Sequence, residues 1–130
     1  MNAWESNYKA HQGNLGLGAA IAYYTSKCIP VALPLNDTQG YDLIVDNNGL
    51  KRVQVKTTKY KQATSEYYAV QLGNTGGSSG KGRIRKFDNS RSDLLFIVTV
   101  EGDLYEIPTT NITSKRVLTL SIDYDRFKVR

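Results

Sequence analysis

Tyr41-Asp42-Leu43-Ile44-Val45-Asp46, then Asn47-Asn48-Gly49-Leu50, then Lys51-Arg52-Val53-Gln54-Val55-Lys56-Thr57-Thr58 is the stretch on which the fold turns. Two runs rich in β-branched and apolar residues flank an Asn-Gly pair, the signature of a β-hairpin. Alternation along the second run puts Val53 and Val55 on one face and Gln54 and Lys56 on the other. A side-chain oxygen two residues before a lysine can join a carboxylate on a divalent cation. The ammonium then lies beside an attacking water or the charge developing on a phosphorus centre. Asp42 is the carboxylate within reach.

Whether Asp42 reaches that face depends on the hairpin register. A two-residue Asn48-Gly49 turn would pair Asp46 with Lys51 and Asp42 with Val55, sending Asp42 to the face away from Gln54 and Lys56. A three-residue Asn48-Gly49-Leu50 loop would pair Asp46 with Arg52 and set Asp42 opposite Lys56, diagonal to Gln54. Opposed Cβ atoms lie about 5 Å apart and diagonal ones roughly 7–8 Å, close enough to share one cation. A one-residue slip flips every side chain, so the two cases are separable. The expectation is an odd-length loop, or a bulge that restores the same parity.

Outward from the hairpin, residues 14–24 carry apolar positions at 17, 20, 21 and 24, a helical set, with Gly16 and Gly18 marking close packing or approach to a ligand. A short edge strand lies between Pro30 and Pro34. Tyr67–Leu72, the hairpin halves Asp93–Val100 and Asp103–Ile107, Val117–Ile122 and Arg126–Val129 read as strands, with a helical turn near Thr109–Ile112. The fold class is α/β (α+β): an N-terminal helix followed by a mixed, mainly antiparallel central sheet, expected as one domain over residues 1–130.

Of the 17 basic residues, five fall in residues 51–61 and five in residues 81–91, against a net charge of +5. Two basic runs in a small domain point to a polyanion, most simply nucleic acid, with Lys59, Lys61, Lys81, Arg83, Arg85 and Lys86 as contacts. Tyr60, Tyr67 and Tyr68 lie where they would stack on bases. No apolar run is long enough for a transmembrane helix, and the N-terminus lacks a signal-peptide pattern, so a cytoplasmic location without membrane contact is expected. One cysteine and one histidine exclude disulfide frameworks and Cys/His metal clusters. Cys28 reads as a small buried hydrophobe. The glycine-rich stretch 73–82 lacks the spacing of a phosphate-binding P-loop.

Asp42 followed by Gln54-Val55-Lys56 resembles the core of the PD-(D/E)XK nuclease superfamily, an acidic residue on one strand and (D/E/Q)-x-K on the next. Gly13-Asn14-Leu15-Gly16 as helix start, Pro34-Leu35-Asn36-Asp37, Tyr105-Glu106-Ile107-Pro108 and the ending Leu118–Phe127 fall in the order seen in small intron-encoded or phage homing endonucleases of that superfamily. The resemblance covers nearly the whole chain. It implies a restriction-endonuclease-like core and hydrolysis of double-stranded DNA with Mg²⁺, or Mn²⁺ as substitute. Asp42, Gln54 and the Val55 carbonyl are then the metal ligands, Lys56 is the catalytic lysine, and Thr57 and Asp37 give support. Cutting both strands implies a homodimer or homotetramer. The helix glutamate common in the family matches Leu17 here, and Gln54 is neutral. Asp42 is thus the one certain anionic ligand, with Asp37, Asp46 or Glu5 as candidate helpers. A four-way-junction resolvase on the same core and a non-catalytic DNA-binding module are the competing readings.

Overall fold

Helix α1 spans Lys9–Ser26 and buries Gly16, Ala20 and Tyr24, one residue per turn along a single stripe. In this computed structural model, which describes residues 1–36, 40–62, 65–75 and 84–130, the helix begins ahead of the expected Gly13–Gly16 start. Lys9-Ala10-His11-Gln12 contains no helix breaker, and a glycine costs only about 1 kcal/mol in a helix held by packing. Gly16 is where α1 presses on the sheet: a Cβ there would lie 2.5 Å from Thr57 Cγ2 and 3.3 Å from Val55 Cγ1. At the other end Ile29 N–H donates to the Tyr24 carbonyl (2.9 Å) and Cys28 N–H to that of Thr25 (3.0 Å). This is a Schellman closure in which Cys28, not glycine, takes the left-handed conformation (φ 59°). Cys28 is exposed, contrary to its reading as a buried hydrophobe, because the chain must turn outward there.

The main sheet has the order β1 (Val31–Ala32), β2 (Leu43–Asp46), β3 (Leu50–Thr58), β7 (Leu94–Thr99), β8 (Leu104–Pro108). Every pair is antiparallel except β3 with β7, so the sheet is mixed as expected. Between β3 and β7 the crossover holds β4 (Ala69–Gln71), β5 (Asn74–Thr75) and β6 (Ile84–Arg85); β4 pairs with β9 (Val117–Thr119) and β5 with β6. Asp93 ties β7 to β3, its Oδ2 accepting the Arg52 N–H at 2.7 Å and the Arg52 Nε–H at 3.2 Å.

The sheet has an apolar layer on each side. Leu43, Val45, Val53, Phe96 and Val98 pack under α1 with Ala20 and Tyr24. Leu95, Ile97 and Ile107 face Val70, Leu72 and Leu118 of the β4/β9 side. Tyr68 belongs to this second layer and is buried, so it is core and not a base-stacking side chain; Tyr60 and Tyr67 are exposed. The chain end also differs from expectation. Ile122–Phe127 form 3-10 turns in place of a strand starting at Arg126, and only the last residues extend along β8, with Val129 N–H on the Leu104 carbonyl (2.8 Å). Tyr124 and Phe127 pack against the second layer, which the turn geometry permits and a straight strand would not.

The α1–β3 contact yields a prediction. Gly16→Ala adds a methyl where Thr57 Cγ2 already stands, and overpacking of this kind costs about 1–3 kcal/mol, more than the helix-propensity gain of roughly 1 kcal/mol. Thr57→Ser deletes that methyl. Urea unfolding is expected to show Gly16→Ala less stable than the parent, and the double variant more stable than Gly16→Ala alone.

Candidate active site

The β2–β3 hairpin pairs Asp46 with Leu50, Val45 with Lys51, Ile44 with Arg52 and Leu43 with Val53. The loop is therefore the odd-length one, three residues, but it is Asn47-Asn48-Gly49 and not Asn48-Gly49-Leu50. Asn48 (φ 55°) and Gly49 (φ 115°) both take positive φ, and Asn47 N–H closes on the Gly49 carbonyl at 3.0 Å. The pairing is displaced by two residues from the expected one, which preserves the parity. One step beyond the last pair, Asp42 comes level with Gln54 instead of Lys56.

At that point β2 departs from regular pairing. Asp42 N–H donates to the Val53 carbonyl (2.8 Å), the residue already paired with Leu43, so two residues of one strand address one of the other, as in a β-bulge. The bulge turns the Asp42 carboxylate along the sheet edge, where Oδ2 accepts the Val55 N–H at 2.7 Å. A strand residue points its N–H and C=O to the same edge, so the Val55 carbonyl opens beside Asp42. Lys56, one residue on, is half-buried. Burial pushes its ammonium pKa below the usual lysine value, and the nearby Asp42 carboxylate partly restores it. Gln54 shares the Lys56 face of β3, and its half-buried amide makes no hydrogen bond among the described residues.

Asp42, Gln54, Val55 and Lys56 are thus collected at the point where β2 ends and β3 continues. The donors are a carboxylate, an amide oxygen and a peptide carbonyl, all hard oxygens of the kind Mg²⁺ accepts. Among the described residues no cluster of three or more His, Cys, Asp or Glu side chains exists to bind a metal. Asp42 supplies the one carboxylate seen bonded at this point among the described residues. Asp46 sits at the opposite end of β2 beside the hairpin loop, and Glu5 bonds Asn2 in the N-terminal turn, so neither joins Asp42. Leu17 is partly buried and packs against the layer beneath α1, as Val55 does.

From Lys56 a cleft of about 610 Å³ runs along β3 to Tyr60, between the start of α1 and the β4/β9 pair. Thr57 lines it, as do Lys9, Gln12 and Gln71. The sequence reading missed Gln12, although the stripe Gly16, Ala20, Tyr24 extended back by one turn leads to it. The basic residues of the first run are partly engaged. Lys59 Nζ donates to the Trp4 carbonyl (2.8 Å) and lies 5.5 Å from the Tyr60 ring centroid; Lys61 meets Glu101 at 3.8 Å and the Tyr68 ring at 5.1 Å. Lys86 is exposed, and Arg85 is placed through its backbone pairing with Asn74. Asp37, Lys81 and Arg83 lie outside the described residues.

The convergence has a measurable consequence. In Asp42→Asn the charge that raises the Lys56 pKa is gone while burial remains, so the Lys56 pKa is expected to fall further. Nuclear magnetic resonance titration of the Lys56 side chain checks this. A lysine with a depressed folded-state pKa binds fewer protons folded than unfolded, so stability rises with pH across the interval between the two values. Asp42→Asn widens that interval downward.

Three comparisons bear on this arrangement. Residues 8–128 match a family model described as PD-(D/E)XK endonuclease. Among solved structures, a bacterial homing endonuclease, I-Ssp6803I, superposes with a TM-score of 0.74 at 24% identity, covering 93% of this chain and 82% of that one, a likeness of fold. Curated proteins return no match.

Proposed function

The chain belongs to the PD-(D/E)XK endonuclease family, and on that premise we propose that it is a Mg²⁺-dependent, site-specific endonuclease for double-stranded DNA, of the homing-endonuclease kind. Nucleases of this family use divalent metal ions. The observation that carries the reading is the Asp42 carboxylate on the Val55 N–H beside half-buried Lys56. The resemblance in fold to a bacterial homing endonuclease supports the choice of substrate, as does the charge of +5.

Asp42, Gln54 through its amide oxygen and the Val55 carbonyl would hold the cation, which supplies Lewis-acid stabilisation of phosphate charge when bound. Lys56 places its ammonium beside the scissile phosphate and offsets the charge that builds as water attacks. Its burial makes that interaction stronger than it would be in water. Thr57 offers a hydroxyl from the next position on the strand. Gln54 coordinates without neutralising, so cation binding is weak until substrate phosphates complete the site. Each chain carries one such centre, and cutting two antiparallel strands calls for two chains related by a two-fold axis, a homodimer or a homotetramer. No helix among the described residues is long and apolar enough to cross a membrane.

Incubation with plasmid and genomic DNA, with and without Mg²⁺, followed by mapping of the ends, tests the reading. Defined ends that require the metal are expected; intact DNA under all conditions would overturn it. Lys56→Ala is expected to slow cleavage by about 10²–10³-fold, on the order of 3–4 kcal/mol, while binding changes little. Gln54→Glu adds a second anionic ligand and is expected to lower the Mg²⁺ concentration for half-maximal cleavage by about tenfold. A metal titration of both proteins checks that expectation.

A further inference from the structure

We propose that the cleft along the free edge of β3 is a second phosphate subsite, in which Lys9 and Gln12 hold the phosphodiester next to the one being cut. The inference rests on the nuclease reading and deepens it.

The cleft starts at Val55 and Lys56 and follows β3 to Tyr60, along the edge that β2 vacates. At about 3.3 Å per residue, Val55 to Lys59 spans about 13 Å, room for one or two nucleotides beside the candidate centre. Thr57, two residues past Val55, turns its backbone N–H to the same edge. Among the described residues that line the cleft none is acidic and three are lysines, Lys9, Lys56 and Lys59. Lys56 belongs with Asp42, and Lys59 is held on the Trp4 carbonyl. Lys9 is the exposed cation left, with no ion pair or side-chain hydrogen bond among the described residues. Gln12, half-buried one turn further along α1, likewise has an unbonded amide, which can donate to a phosphate oxygen.

Two features shape the space. Gly13 on α1 and Gly73 after β4 line the cleft without side chains, and a Cβ at Gly13 would meet nothing within 4 Å. The Lys59 bond to Trp4 holds the N-terminal segment as the wall that carries Ser6 and Asn7. An extended, anionic strand fits this lining; an acidic peptide would leave its side chains without a matching pattern of cations.

The test uses the full chain and a duplex bearing its mapped cut site, with neutral methylphosphonate replacing single phosphates, in Ca²⁺ to prevent cutting. Replacement at the phosphate adjoining the cut is expected to weaken parent binding about tenfold and to leave Lys9→Ala binding nearly unchanged. Lys9→Ala is also expected to reduce the salt slope of binding by about one unit, with Lys9→Arg restoring it. Equal penalties in the parent and Lys9→Ala, or a penalty only at distant phosphates, would overturn the subsite while leaving the nuclease intact. A parent that cuts no DNA would overturn the nuclease reading, and the subsite with it.

Discussion

The hydrogen bond from the Val55 N–H to the Asp42 carboxylate is the contact on which the candidate site depends. β2 pairs with β3 only as far as Leu43, so Val55 is the first residue of β3 whose edge-facing N–H has no backbone partner on β2. Asp42 supplies that partner from its side chain. One interaction thus satisfies a backbone donor, places a carboxylate against the strand that carries Gln54 and Lys56, and leaves the edge open beyond it. A neutral or longer side chain at position 42 would lose the charge or the fit.

The rest of the chain keeps β3 in place around that contact. Asp93 repeats the device at the other end of the strand, its carboxylate accepting the Arg52 N–H. α1 lies close enough over Val55 and Thr57 that any Cβ at position 16 would have to displace the Thr57 side chain. The β4/β9 pair covers the opposite face, where Thr58 Oγ1 donates to the Ala69 carbonyl at 2.5 Å. A strand held from four directions presents its side chains rigidly, as the proposed metal site would require: drift of Asp42 or Gln54 would cost coordination, and no cluster of three carboxylates stands by among the described residues.

The elements with strong local periodicity were legible in the sequence. β3, β7 and β8 are continuous apolar or alternating runs; of the helical set at 17, 20, 21 and 24, Ala20 and Tyr24 are buried, and Gly16 completes the stripe in place of Leu17. The parity of the hairpin was legible too: Asp46 pairs with Leu50 across an odd, three-residue loop. Its register was not: the Asn48-Gly49 pair points to a loop starting at Asn48, whereas the loop starts at Asn47, whose N–H closes on the Gly49 carbonyl, and Asn48 takes positive φ. The bulge at Asp42 has no local signal, because it depends on where β2 stops. Arg126–Val129 read as a strand from composition, but packing of Phe127 against the second layer selected 3-10 turns. Gln12 escaped notice since its role comes from the cleft formed with β3, a contact some 45 residues distant in sequence.

The measurement that tests the central claim most directly is anomalous diffraction from crystals of the chain bound to uncut DNA and soaked in Mn²⁺. The account predicts a manganese peak at coordinating distance from the Asp42 carboxylate and the Val55 carbonyl, with the Gln54 amide oxygen turned toward it. A chain that cuts DNA yet binds manganese only elsewhere, with Asp42 left to cap Val55, would contradict it.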